Sequence, residues 1–478
     1  MRFITFGYLI FFLVVFALYW LSQKKKAKFW LLAIASSVFY ASWSIPFFFH
    51  FSSFIWINYF FSLRIRNLEN QFQRKALLTL ALFLNFGNLI VFKYFYFILR
   101  ILQDSTQQDF FTKEVWNTML FNFFGQDSIV LPLAISFYTF QMSAYLIDVY
   151  YNKIQRKDSL LEFYIFVLFF PQLVAGPIMR HSDFFYQYDN PITLTKEKII
   201  KGLFLIFIGL IKKVIIADNI AFVIEPIYSQ PLEYNGLANF LAGVGYAIRL
   251  YGDFSGYTDI ARGSAYLLGF TIPENFHGPF LSTSASEFWQ RWHVTLSSWL
   301  RDYIYIPLGG NRISQFRTYL NLILTFTIGG IWHGANYTFL VWGFFYGILL
   351  SMERPFLNFY NSILKKFRIL KVFGILYSFT FFAIGCLFFN APDIRHSFWM
   401  FKQIFLFGEG KALSKDQYIQ ILTFLLLVFI FNFFQYYKKN FKIKIYRDIV
   451  LLYFLGLLVM WLLGNYSPQT QSFIYFQF

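Results

Sequence analysis

The stretch FITFGYLIFFLVVFALYWL, Phe3–Leu21, contains no charged side chain. At 1.5 Å per residue a helix of this length spans about 28 Å, close to the roughly 30 Å hydrocarbon core of a bilayer. No small-residue cleavage site follows it, so it reads as a first membrane span rather than a removable leader. Similar runs recur at Phe29–Trp43, Phe47–Leu63, Ala76–Leu99, Ile129–Val149, Leu160–Val174, Ile199–Ile216, Leu237–Leu250, Tyr319–Leu350, Val372–Phe389, Ile419–Phe434 and Ile449–Leu463. Several are shorter than the about 20 residues a straight crossing needs. The run FFPQLVAGPI (169–178), with two prolines and a glycine, is the best candidate for a re-entrant piece, which needs protein or a wet cavity around its backbone.

The composition agrees with this pattern. Of 478 residues 58% are apolar, with 70 Phe and 33 Tyr, and only 14% are charged. A soluble domain carries about 25% charged residues. Too few polar side chains remain to cover a water-facing globule, which excludes a soluble enzyme, and the apolar content excludes disorder. The expectation is an all-α polytopic membrane protein of about 11–12 crossings, folded as one domain over 1–478 with a tail at 464–478.

The 41 Lys and Arg against 24 Asp and Glu give a net charge of +17. A nucleic-acid partner is one reading of such a charge. Here the bases form short clusters between apolar runs, as in the cytoplasmic loops of membrane proteins, and no nucleic-acid partner is expected. Lys24, Lys25, Lys26 and Lys28 form one cluster, Arg64, Arg66, Arg74 and Lys75 a second, and Lys153, Arg156 and Lys157 a third. Pairs of spans separate them. The intervening loop 100–128 holds Asp104, Asp109, Glu114 and Asp127 and fits the outer face. Lys365, Lys366, Arg368 and Lys371, and then Lys438, Lys439, Lys442, Lys444 and Arg447, read as cytoplasmic again. Both termini are then extracytoplasmic.

The middle of the chain departs from the apolar pattern. Residues 251–312 carry Asp253, Asp259, Arg262, Glu274, Glu287, Arg291, His293, Arg301, Asp302 and Arg312. Ionisable groups within a membrane cost roughly 2.5–3.5 kcal/mol each on insertion scales and face interior cavities, so the set points to a wet site inside the fold. An interfacial loop with a solvated charged face accounts for individual members equally well. Two histidines stand out. His293 follows Trp289, Arg291 and Trp292 on a predicted helix over Ser286–Tyr303, where Trp289 and Ser297 would share its face. His333 lies in GGIWHGAN (329–336), where glycines permit close packing or a helix break. Either could be a satisfied core residue. Imidazole is also the side chain best suited to acid–base work near neutral pH. His50, His181, His277 and His396 lack comparable surroundings. No HExxH helix or phosphate loop is present, the serine of GDFSG (252–256) is one place late for a nucleophile elbow, and one cysteine, Cys386, excludes a Cys-rich metal site. No metal is expected.

These residues resemble the membrane-bound O-acyltransferase family, in particular its bacterial alginate O-acetyltransferase-like branch. The matching segments are LPLAISFYTFQMSAYLIDVY (131–150), FFPQLVAGPI (169–178), YGDFSGYTDIA (251–261), PENFHGPF (273–280), EFWQRWHVTLSSWLRDYIYIPLGGNR (287–312), GGIWHGANYTFLVWG (329–343) and FIYFQF (473–478). The resemblance implies a ring of helices around a thinned centre with a central tunnel. It implies His333 as catalytic base and His293 as a second functional histidine, with Trp332, Asn336, Arg291, Trp292 and Asp302 as candidate site-lining residues. In related systems the tyrosine of an aromatic C-terminal motif carries the acyl group transiently, which makes Tyr475 a candidate relay. An interfacial aromatic anchor is the alternative for that tail.

The implied function is transmembrane O-acyl transfer, in particular O-acetylation of an extracytoplasmic polysaccharide, alginate or another cell-envelope polymer. The donor would be a cytoplasmic acyl thioester, acetyl-CoA or an acyl-carrier protein, with no tightly bound cofactor. Membrane lipid, the polysaccharide and an exported SGNH-type acetyltransferase are the expected partners, and the bacterial inner membrane the location. D-alanyl transfer to teichoic acid is the rival within the family. A transporter or flippase is the rival from another class, though no repeated halves are visible.

Overall fold

The computed structural model describes residues 3–124, 127–174, 176–190, 192–437 and 473–474. Among the described residues there is no β-strand, only the isolated bridges of Phe276 with Trp292 and Tyr234 with Lys411. The expected span Ile449–Leu463, the basic cluster from Lys438 to Arg447, and Tyr475 lie outside the described residues. The helices divide into two compact units, one within Met1–Leu194 plus Leu268–Ile272, the other within Thr195–Leu267 plus Pro273–Phe478. No linker-like composition marks the points where the chain changes unit.

The first unit begins with α1 (Phe6–Leu21), α2 (Lys25–Ala41), α3 (Ile45–Asn67) and α4 (Gln71–Leu89), which continues through a π turn, Ile90–Tyr94, into α5 (Phe95–Thr106). After α6 (Lys113–Phe124) come α7 (Ile135–Tyr150), α8 (Leu160–Leu168) and the one-turn α9 (Phe170–Leu173), then the short α10 (His181–Phe184) and α11 (Tyr186–Asp189). The apolar runs become helices because a helix satisfies its own backbone in lipid. The interruption expected at 169–178 falls at Phe169, whose backbone leaves helical geometry between α8 and α9. Its described residues are buried, and side chains replace the lost backbone bonds. The Phe166 carbonyl accepts from Gln141 Nε2 at 2.7 Å and Gln172 Nε2 at 2.9 Å, and the Phe170 N–H donates to Ser36 Oγ at 3.2 Å.

The second unit contains α12 (Lys196–Leu210), a π stretch (Ile211–Ala217), α13 (Asp218–Ser229) and the 32-residue α14 (Gly236–Leu267). Then follow α15 (Ala285–Arg291), α16 (Val294–Leu300) with a π turn at Arg301–Tyr305, α17 (Gln315–His333), α18 (Tyr337–Glu353), α19 (Leu357–Lys366), α20 (Lys371–Phe389), α21 (Ile394–Phe405) and α22 (Lys415–Tyr436). α14 is buried on nearly all sides, as expected of a helix at the centre of a membrane domain. It meets α12 through glycines: a Cβ on Gly209 would come within 2.5 Å of the Gly256 carbonyl, and one on Gly263 within 2.5 Å of the Gly202 carbonyl. Without a water-driven hydrophobic effect between helices in lipid, such small-residue contacts let backbones approach.

Among the described residues three helical stretches, Gln71–Thr106, Lys371–Phe389 and Lys415–Tyr436, are long and apolar enough to cross a bilayer by length and composition, and Phe6–Leu21 and Leu160–Leu173 are shorter apolar helices. The fold is an all-α polytopic membrane fold. Two sequence expectations change. The helix expected over Ser286–Tyr303 breaks at Trp292–His293, so His293 does not share a helical face with Trp289 and Ser297. The cause is a competing segment: His277 N–H donates to the Arg291 carbonyl at 3.0 Å and Val294 N–H to the Asn275 carbonyl at 3.1 Å. The run Tyr319–Leu350 is a hairpin of α17 and α18. Of the two readings of the charged stretch, the interior one holds for Asp253, Asp259 and Arg262, which sit on buried α14 and not in a solvated loop.

Candidate active site

His333 is the last residue of α17. Gly334 follows in extended geometry, and a Cβ there would strike the Phe339 ring at 2.1 Å. Asn336 then starts α18, its side chain accepting the Thr338 N–H at 3.4 Å and donating from Nδ2 to the Pro392 carbonyl at 3.1 Å. The His333 imidazole is 4% exposed and packs edge-on against Trp332, Trp342 and Phe389, with ring centroids at 5.0, 5.1 and 5.2 Å.

His293 reaches the same place from a separate segment. It stands between α15 and α16 in left-handed backbone geometry, φ 45°. A non-glycine residue there carries strain that the surrounding structure must hold. The hold comes from Asn275, whose side-chain oxygen accepts Thr295 Oγ1 at 2.7 Å and the Thr295 N–H at 3.3 Å. The His293 ring, 1% exposed, lies 4.7 Å from Phe254, 5.9 Å from Trp332 and 6.4 Å from His333, centroid to centroid. His293, Trp332 and His333 thus come together, with Asn336 three residues on.

The other candidates make their contacts elsewhere in the unit. Arg291 pairs with Glu287 at 2.9 Å and lies 4.1 Å over the Tyr436 ring. Trp292 is built into an aromatic group, with Phe276 at 5.0 Å and Phe382 at 4.7 Å. Asp302 pairs with exposed Arg301 at 2.7 Å.

Two lysines escaped the sequence reading because they sit inside the apolar run Ile199–Ile216. The π stretch carries Lys212 and Lys213, each 1% exposed. Lys212 Nζ meets Asp259 at 2.6 Å and Ser255 Oγ at 2.8 Å. Lys213 Nζ meets Asp218 at 2.7 Å and Asp253 at 2.6 Å. Arg262 continues the network to Glu274. The signal was available: a cationic pair within an otherwise apolar span, and carboxylates nearby in sequence. His181 was also undervalued. In the first unit its Nε2 lies 3.1 Å from buried Asp158 Oδ2, which accepts from Tyr145 Oη at 2.7 Å, and Arg156 pairs with the other carboxylate oxygen. Burial pushes the Asp158 carboxyl up, but bonds with His181, Tyr145 and Arg156 outweigh it and hold the group below the usual carboxylate value. Among the described residues no cluster of His, Cys, Asp or Glu is arranged to hold a metal.

Two buried imidazoles, delivered from different segments, come together inside an apolar all-α fold. The model of the membrane-bound O-acyltransferase family matches residues 151–391, which include both histidines, and the chain belongs to that family. It is an O-acyltransferase, and the transporter reading falls. Its relatives include a probable alginate O-acetylase of Pseudomonas aeruginosa, 36% identical over 447 residues (91% of this chain, 82% of the relative). A peptidoglycan O-acetyltransferase of Helicobacter pylori is 35% identical over 403 residues (78% and 73%). A teichoic acid D-alanyltransferase of Bacillus subtilis is 30% identical over 291 residues (56% and 71%).

Proposed function

We propose that the chain moves acetyl groups from a cytoplasmic thioester, acetyl-CoA or an acyl-carrier protein, across the bacterial inner membrane for O-acetylation of an extracytoplasmic polysaccharide, alginate-like or another envelope polymer. The approach of His293 to His333, 6.4 Å between ring centroids in a buried aromatic enclosure, is the observation that carries this reading. His333 takes the proton of an acceptor hydroxyl as that oxygen attacks the thioester carbonyl. The new C–O ester bond forms, the C–S bond breaks, and the thiolate leaves with the proton that His333 returns. His293, held by Asn275 in a strained conformation, orients the acceptor or offsets developing charge. Strain of this kind persists where surroundings enforce it and clusters at functional sites.

Tyr475 is the proposed first acceptor. A phenol of pKa about 10 needs a base to become a nucleophile. Both termini face outward in this reading, and an exported SGNH-type acetyltransferase places the acetyl group on the polymer. The names of the P. aeruginosa and H. pylori relatives support acetyl over D-alanyl transfer, since the D-alanyltransferase relative matches a smaller share of the chain.

The test is alkali-labile acetyl ester on the envelope polymer of cells carrying His333→Ala. A general base contributes roughly 10²–10⁴-fold, so ester falls by that factor while membrane levels of the protein hold. Wild-type ester in that strain removes His333 as the base. Tyr475→Phe is expected to remove transfer together with an acyl-tyrosine detected by mass spectrometry on the wild-type protein, and full activity without the hydroxyl ends the relay.

A further inference from the structure

The described part of the C-terminal tail, Phe473 and Ile474, is bound to the middle of α14. The Ile474 N–H donates to Asp253 Oδ2 at 2.6 Å, in a buried position. The other oxygen of that carboxylate is held by Lys213 Nζ at 2.6 Å, and Lys213 is itself braced by Asp218. The Phe473 ring lies 4.0 Å from Tyr257 and 6.3 Å from Phe254, centroid to centroid. Both tail residues are buried. Phe254 is also the ring 4.7 Å from His293. One phenyl group therefore links the tail to the imidazole pair.

From this we infer that Asp253 is a positioning residue: with Lys213 it forms an anionic seat for a main-chain N–H of the C-terminal tail, and so holds Phe473 and Ile474 against α14 next to Phe254, the ring that touches His293. The inference deepens the acyl-relay reading and rests on it for its purpose, though not for its geometry. Three features support a seat rather than ordinary packing. A buried carboxylate is costly unless paired, and Lys213 supplies the pairing while leaving one oxygen for the tail. Charge-assisted hydrogen bonds to backbone N–H groups are roughly twice as strong as neutral ones. The main-chain N–H of Ile474 on Asp253 and the Phe473 ring tilted against Tyr257 fix both register and rotation of these two residues. The step needs no chemistry at Asp253 itself, whose protons and bonds do not change.

Hydrogen–deuterium exchange on the full-length protein in detergent, read by mass spectrometry on the peptide containing Ile474, tests the seat without any acyl donor. The Ile474 amide is expected to exchange slowly in the wild type and equally slowly in His333→Ala. Asp253→Asn, which keeps the shape and removes the charge, is expected to speed it about tenfold, with amides of α14 unchanged. Phe473→Ala alters only the tail and is expected to act in the same direction, so a folding defect in the Asp253 variant does not decide the matter. Exchange at Ile474 unmoved by both variants overturns the seat. Faster exchange accompanied by loss of polymer acetylation supports the positioning role. Faster exchange with full acetylation overturns that role and the relay reading together, while leaving His333 as base untouched.

Discussion

The second unit holds two buried polar regions of different make-up, one of ion pairs and one of an imidazole among aromatic rings. Along α14 every cation described meets a carboxylate: Lys212 with Asp259, Lys213 with Asp218 and Asp253, Arg249 with Glu225, Arg262 with Glu274. At the end of α17 the titratable group is an imidazole against Trp332, Trp342 and Phe389, rings that exchange no proton near neutral pH. In a low-dielectric interior a charge without a partner is very costly, so the first region uses its ionisable groups to fix geometry. A general base must change its protonation during each turnover, and a group locked in an ion pair does that poorly. On the proposed function, the first region holds the fold and the second acts.

The sharpest way to break this contrast is to remove one cation from the first region. Lys213→Met leaves Asp218 and Asp253 as buried carboxylates without their shared partner. Breaking a buried pair on one side costs about 3–5 kcal/mol, so a large fall in thermal stability in detergent is expected, with loss of membrane-inserted protein in cells. A change below about 1 kcal/mol would mean that the network is not what holds α14 to the π stretch.

How much of this was legible beforehand differs between the same two regions. The break after His333 could be read from Gly334 and Asn336, because a helix end and a helix cap are local events. The break before His293 could not, because it depends on residues 275–277 pairing with 291–294, and no local pattern in 286–303 announces a partner from another segment. Lys212 and Lys213 were hidden by their apolar neighbours, and the carboxylates Asp253 and Asp259 fitted an interior site or a loop equally well until α14 proved to run unbroken to Leu267. Apolar runs announced the helices well, since lipid permits little else. The division into two units left no trace, since neither hydropathy nor linker composition changes where the chain crosses between them.

A smaller effect is expected outside the membrane-spanning helices, and it sharpens the rule that paired charges hold the fold. Asp158, whose side chain is fully buried, bonds with His181, Tyr145 and Arg156 in the loop before α8. Asp158→Asn removes the charge from those bonds and should cost about 1–3 kcal/mol at neutral pH. The folded carboxyl is held below the ordinary value, so its contribution is complete above about pH 4, where the unfolded group is ionised, and is lost as acid carries the pH down through the folded value. Wild type and variant should therefore differ in thermal midpoint at pH 6–7 and converge in strong acid. A difference that persists there would assign the effect to packing rather than charge.

The smallest expected change in stability is at the group proposed to act. His333→Gln keeps a polar side chain of similar reach in the aromatic enclosure and leaves the ion pairs along α14 intact, so unfolding should shift by about 1 kcal/mol or less, within the range of a tolerated substitution. Acetyl transfer should nonetheless fall by about 10²-fold or more, because an amide cannot take the proton. The two measurements must part company for the contrast to hold. If the variant loses several kcal/mol and its activity falls only in proportion to the folded protein that remains, His333 belongs with Lys213 among the groups that build the fold, and the base lies elsewhere.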